Sequence, residues 1–148
     1  MLKNLLQNKS RIGILLLLSI FLVLVRALEI HLFYDPFLTF FKSEFYGLPL
    51  PGFNVYKLIV NLFLRYFINT ILSLAIIFYI FKDIELVKFS SILYFILFFI
   101  LIVSFCIIIF VLDGNNNLIL FYVRRLIIQP VFLLLFVPAV FYQKFKSK

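Results

Sequence analysis

Residues 57–81 read KLIVNLFLRYFINTILSLAIIFYIF, and this stretch decides how the rest of the chain is read. It is long and apolar enough to cross a bilayer as a helix, which needs about 20 residues. Yet Asn61, Arg65, Asn69 and Ser73 interrupt it at every fourth position. That spacing stacks all four on one helical face. An arginine in hydrocarbon costs roughly 2.5 to 3.5 kcal/mol even on a lenient insertion scale, so this face turns toward protein or trapped water rather than lipid. The other helices are expected to shelter it.

Composition agrees with a membrane setting. The 148 residues are 66% hydrophobic with a net charge of +8, and the mean hydropathy is +1.20. Soluble domains stay near 45 to 50% apolar, so the chain reads as a single integral membrane domain over residues 1–148. Excess basic charge in such a chain reports cytoplasmic flanks, which excludes nucleic acid as the natural partner and makes membrane lipid the first one. One cysteine, Cys106, cannot close an internal disulfide. No Cys/His cluster has metal-ligand spacing, so neither a metal nor another cofactor is expected. The 22 Phe and eight Tyr, with no Trp, belong to helix packing and interfacial belts.

The apolar pattern predicts an all-α membrane protein with four transmembrane helices, at about residues 12–32, 58–81, 89–112 and 118–142. A cleaved signal peptide is the rival reading of the first, with Lys3, Lys9 and Arg11 as its basic region and Val25/Ala27 as a small-residue cleavage pattern. Apolar residues resume directly afterwards, which favours a retained span. Between the first two spans, Asp35 is placed to cap a short interfacial helix at about residues 36–46 that begins with Pro36 and ends at Gly47. Phe37, Phe41 and Phe45 would share its face. An irregular or re-entrant loop with buried aromatics is the alternative. DGNNN makes a polar turn before the last span. There Pro130 and Pro138 break the ladder at the carbonyls of Leu126 and Leu134.

Lysine and arginine concentrate at the amino terminus, in the second connection and in the tail. Both termini are therefore expected on the cytoplasmic side, with the interfacial helix in the first outer loop. With a rise of about 1.5 Å per residue, Arg65 lies roughly 10 Å below the outer end of its helix, and Arg124 and Arg125 lie at a similar depth. Arg26 stands near the outer end of the first span. Glu29 is three residues on and placed to pair with Arg26, with His31 and Asp35 at the same boundary. The candidate polar cavity thus comprises Arg26, Glu29, Asp35, Asn61, Arg65, Asn69, Arg125 and Gln129. Of the adjacent pair, Arg125 is favoured over Arg124 because it shares a face with Tyr122 and Gln129. Four arginines against two carboxylates leave a positive surplus, suited to a carboxylate or phosphate. The bland alternative is that these groups only glue helices together.

A thiol enzyme built from Cys106, His31 and Arg65 is the catalytic candidate. Phe105 and Ile107 beside Cys106 disfavour a thiolate, so no catalytic residue is assigned.

The series RALEIHLFYDPFLTFFKSEF, NLFLRYFINTILSLAIIF and FYVRRLIIQPVFLLLFVPAVFYQK resembles the exosortase F system-associated membrane protein family of Gram-negative bacteria. The likeness covers nearly the whole chain through YDPF, the Asn/Arg/Asn helix, YVRR and IQP. It implies a multi-pass protein of the bacterial inner membrane with a non-enzymatic accessory role. The implied partners are an exosortase and the sorting-signal substrate that such an enzyme processes. An intramembrane enzyme or a lipid-handling protein using the same cavity is the alternative.

Overall fold

A computed structural model of the chain describes residues 9–43, 48–111 and 117–146. Among the described residues all regular structure is helical: α1 (Lys9–Ala27), α2 (Glu29–Leu32), α3 (Phe37–Phe40), α4 (Val55–Phe81), α5 (Ile84–Val111), α6 (Asn117–Ile128) and α7 (Val131–Lys146). The protein is thus all-α, and α1, α4 and α5 are long and apolar enough to cross a membrane. A fourth crossing exists if α6 and α7, bent by 61° at their junction, count as one span.

The central helix is α4, which packs against α1, α5, α6 and α7. Its start is set by Asn54, whose side-chain oxygen accepts from the Lys57 amide at 3.1 Å, satisfying one of the donors a helix leaves open. At its end Lys82 turns left-handed with φ of 51° and returns its amide to the Phe78 carbonyl at 2.8 Å, a standard way to stop a helix. Asp83 then accepts from the Leu86 amide at 3.2 Å and starts α5 at once, which folds the two helices back against each other. Helix α5 is therefore longer at its start than its apolar run alone requires. It presents bulky apolar side chains on every side, with Phe95, Phe99 and Phe110 pointing away from the protein.

Three expected elements differ. The first helix does not run through residue 32: it stops at Ala27, and after Leu28 the chain restarts as the single turn α2. Beyond this break Glu29 pairs with Arg65 of α4. The short helix of the first connection covers only Phe37–Phe40, and Asp35 makes no side-chain cap there because its carboxylate is bound elsewhere. The expected end of that helix lies in residues 44–47, outside the described residues, as do Phe45 and most of the DGNNN turn. The last span is broken at Gln129 and Pro130, where the missing N–H of proline cannot continue the ladder. Val131 bonds the Gln129 carbonyl instead at 2.8 Å. Pro138, by contrast, is held inside α7 without ending it.

Phe37 is fully buried and organises the aromatic layer beside the polar face. Its ring centroid lies 5.0 Å from Phe53, 5.9 Å from Phe41 and 6.4 Å from Phe105, separations at which edge-on and offset rings attract. In a bilayer such shape matching, rather than flight from water, is what holds helices together. Phe37→Ala should therefore lower stability in detergent by on the order of 3 kcal/mol, the cost of an unfilled phenylalanine site. Phe95→Ala, on the outward face of α5, should leave the unfolding midpoint unchanged.

Candidate functional site

Three of the four polar positions on this face of α4, Asn61, Arg65 and Asn69, meet a polar partner. Nearest the start, Asn61 accepts from the Tyr34 amide at 3.1 Å and donates to the Lys57 carbonyl at 2.7 Å. The Tyr34 hydroxyl in turn accepts from the Asn54 amide at 3.4 Å. One turn further along α4, Arg65 is ion-paired with Glu29 and stands 3.6 Å from a carboxylate oxygen of Asp35. Phe33 covers its guanidinium with the ring centre 5.6 Å away, an attractive placement for a cation. Next, Asn69 donates to the Ile128 carbonyl at 2.7 Å. That carbonyl belongs to the broken end of α6, so Asn69 supplies the hydrogen bond which the bend before α7 denies it. Last, Ser73 is fully buried beside the Tyr94 hydroxyl of α5.

Asp35 joins this face to α6. The Arg124 Nε donates to its two oxygens at 3.1 and 3.0 Å, and the terminal nitrogen of Arg124 engages it as well. Phe41 lies over the Arg124 guanidinium at 5.8 Å. The Asp35 side chain is 4% exposed and that of Arg65 is 2% exposed, so these charges are held by one another and not by water. Helices α4 and α6 thus meet at the carboxylate of the FYDP segment, and α2 joins them through the Glu29–Arg65 pair.

Two placements depart from the sequence reading. Glu29 pairs with Arg65 and not with Arg26, which stands exposed at the end of α1. Of the neighbours on α6, Arg124 is the buried one and Arg125 the exposed one, donating to Gln129 at 3.2 Å. Adjacent helical residues point about 100° apart, so only one of them can face Asp35. Phe33 and Tyr34 were not singled out from sequence, although the YDPF run that holds Tyr34 and Asp35 was the available signal; Phe41 was expected on the face of the short helix, and its place over Arg124 comes from the fold.

Two adjoining cavities border the network. One, of about 220 Å³, runs between α1 and α7 and is mostly apolar, with Arg26, Arg65, Asn69 and Gln129 as its polar groups. The other, of about 310 Å³, is bounded by Arg26, Glu29, Lys42, Arg124, Arg125 and Gln129 together with four apolar side chains. His31 lines a further cleft within residues 29–39, which also reaches Glu29 and Asp35. Cys106 borders neither cavity. Among the described residues, no group of three or more His, Cys, Asp or Glu stands together as metal ligands would.

Compared with protein-family models, curated proteins and solved structures, the chain matches none. The chemistry is set by the groups themselves. Five cationic side chains, Arg26, Lys42, Arg65, Arg124 and Arg125, stand around two carboxylates, Glu29 and Asp35. Both carboxylates are taken up by buried guanidiniums, which leaves the surplus positive charge at the exposed rim. Such an arrangement can bind an anion by charge-assisted hydrogen bonds.

Removing one member of a buried ion pair strands the other at roughly 3 to 5 kcal/mol. Asp35→Asn, which leaves Arg124 without its counter-charge, should therefore lower the unfolding temperature sharply and reduce abundance in the membrane. Asn69→Leu, which orphans the Ile128 carbonyl, should cost about 1 to 3 kcal/mol. Glu85→Gln, which breaks only the exposed pair with Lys88, should change neither measurement.

Proposed function

We propose that this protein is a non-enzymatic accessory component of an exosortase protein-sorting system in the bacterial inner membrane. In this reading it crosses the membrane several times with both termini cytoplasmic. It presents the arginine-rimmed cavity on the outward side to the exosortase, or to an anionic group brought by that enzyme or its sorting-signal substrate. The observation that carries the reading joins sequence and geometry. The motifs on which the family resemblance rests, YDPF, the Asn/Arg/Asn helix, YVRR and IQP, are the segments whose side chains converge: Asp35, Arg65, Asn69, Arg124 and Gln129. The non-enzymatic part is supported by how the ionisable groups are used. Glu29 and Asp35 are bound to guanidiniums, and Cys106 lies among apolar neighbours away from both cavities.

Arg65 can then be separated into its two roles. Its guanidinium already faces Glu29 and Asp35, so Arg65→Leu should lower abundance through the stranded carboxylates, by about 3 to 5 kcal/mol of stability. Arg65→Lys should rescue poorly, because a point charge cannot serve both carboxylates with one planar fork. The accessory role is read by co-purification: a tagged chain should bring the exosortase with it, and deleting the gene should impair processing of sorted proteins. Cys106→Ser should leave processing intact. Failure of the two proteins to co-purify, together with loss of processing in Cys106→Ser at normal abundance, would replace the accessory reading with a thiol enzyme. Reporters placed after Lys148 and within residues 113–116 should report opposite sides of the membrane; the same side for both would overturn the four-span arrangement.

A further inference from the structure

The rim charge and the apolar groove are parts of one opening. Arg26, Ile128 and Gln129 border both cavities. Beyond them the narrower cavity continues as a groove between α1 and α7, with Asn69 of α4 at its floor. Its edges, Val23 and Leu134, are 66% and 71% exposed, so the groove opens sideways, into the bilayer that surrounds apolar helices. At the rim stand Arg26, Lys42 and Arg125, and among the described residues none of these three is in an ion pair. The buried arginines beneath them, Arg65 and Arg124, are.

We propose that this opening binds one anionic phospholipid, its phosphate held between Arg26 and Arg125 and one acyl chain lying in the groove between α1 and α7. The proposal rests on reading the cavity as a ligand site and names the ligand's class. Three features favour it. Arg26 lies at the end of α1, the level at which a spanning helix meets phospholipid headgroups, and Arg125 borders the same cavity. Arginine forks match phosphate oxygens geometrically as well as electrostatically. The groove itself selects against the competing ligand, an extended peptide with a terminal carboxylate. Every peptide unit entering hydrocarbon brings an N–H and a C=O that require partners. Here the only neutral polar side chains are Asn69 and Gln129, each with one hydrogen bond already made inside the protein, too few to partner the successive units of a peptide. An acyl chain requires none. A lipid also enters from the side without leaving the membrane.

The test is native mass spectrometry of the full-length chain in micelles doped with equal amounts of phosphatidylglycerol and phosphatidylcholine. Inorganic phosphate and a short peptide with a free carboxy terminus serve as competitors. One phosphatidylglycerol should be retained over phosphatidylcholine by about tenfold or more, because phosphatidylcholine offers the same phosphate but brings its trimethylammonium against the rim cations. The double variant Arg26→Gln/Arg125→Gln, whose exposed side chains should leave the unfolding temperature unchanged, should lose that preference. Leu134→Trp, which fills the groove edge, should lower retention of both lipids. Equal retention of the two lipids by the unaltered chain, or a preference that survives the double variant, overturns the proposal. So does displacement of the lipid by inorganic phosphate alone, which would mean a free-anion site, or by the peptide, which would mean a carboxylate site. Co-purification with the exosortase is scored on the same preparations. Partner retained without lipid selectivity defeats the lipid assignment alone, and selective lipid retention without the partner defeats the accessory reading alone.

Discussion

The carboxylate of Asp35, gripped by Arg124 and approached by Arg65, is the contact on which the rest of the arrangement depends. Three charges with side chains less than a tenth exposed are costly to desolvate, and they are tolerated because each faces an opposite charge in good geometry. The side-on approach of Arg124 engages both carboxylate oxygens, and Glu29 supplies the second negative charge that Arg65 requires. A carboxylate shared in this way allows little freedom: α4 and α6 cannot slide or rotate past each other without separating a buried pair.

Because Asp35 is anchored, the whole FYDP segment is anchored with it. Phe33 covers Arg65, the Tyr34 amide and hydroxyl engage Asn61 and Asn54, and Phe37 drops into the aromatic layer against Phe105. A segment without regular structure thereby has its polar groups satisfied at the edge of an apolar helix cluster, the condition under which irregular backbone survives near a membrane. The same requirement explains Asn69. A proline break in α6 and α7 leaves a carbonyl exposed to an apolar setting, and an amide on the neighbouring helix answers it.

The network also sorts the cations into two classes. Arg65 and Arg124 are used inside the protein, whereas Arg26, Arg125 and Lys42 lie exposed around an opening. An unpaired cation at the rim keeps its hydration until an anion arrives, so binding there exchanges one solvation for another and leaves the internal pairs intact. Charge paired inside the fold and charge left exposed at an opening thus coexist within a few turns of helix.

What the sequence alone determined is what depends on local pattern. Hydropathy marked the membrane class and the apolar helices. The four-residue spacing of Asn61, Arg65, Asn69 and Ser73 showed which way α4 turns, and Pro130 marked the break, because helical periodicity and the missing proline N–H act within a few residues. The tertiary structure alone decided which partner each charge takes. From sequence, Glu29 stands as close to Arg26 as helix spacing allows, and Arg125 shares a face with Gln129. In the folded protein α1 ends at Ala27 and Glu29 pairs with Arg65, and Arg124 rather than Arg125 meets Asp35. The physical reason is that charge pairing in a low-dielectric interior is settled by which groups are buried together. Burial depends on how α6 is rotated against α4, and the chain between residues 35 and 124 carries no local sign of that rotation.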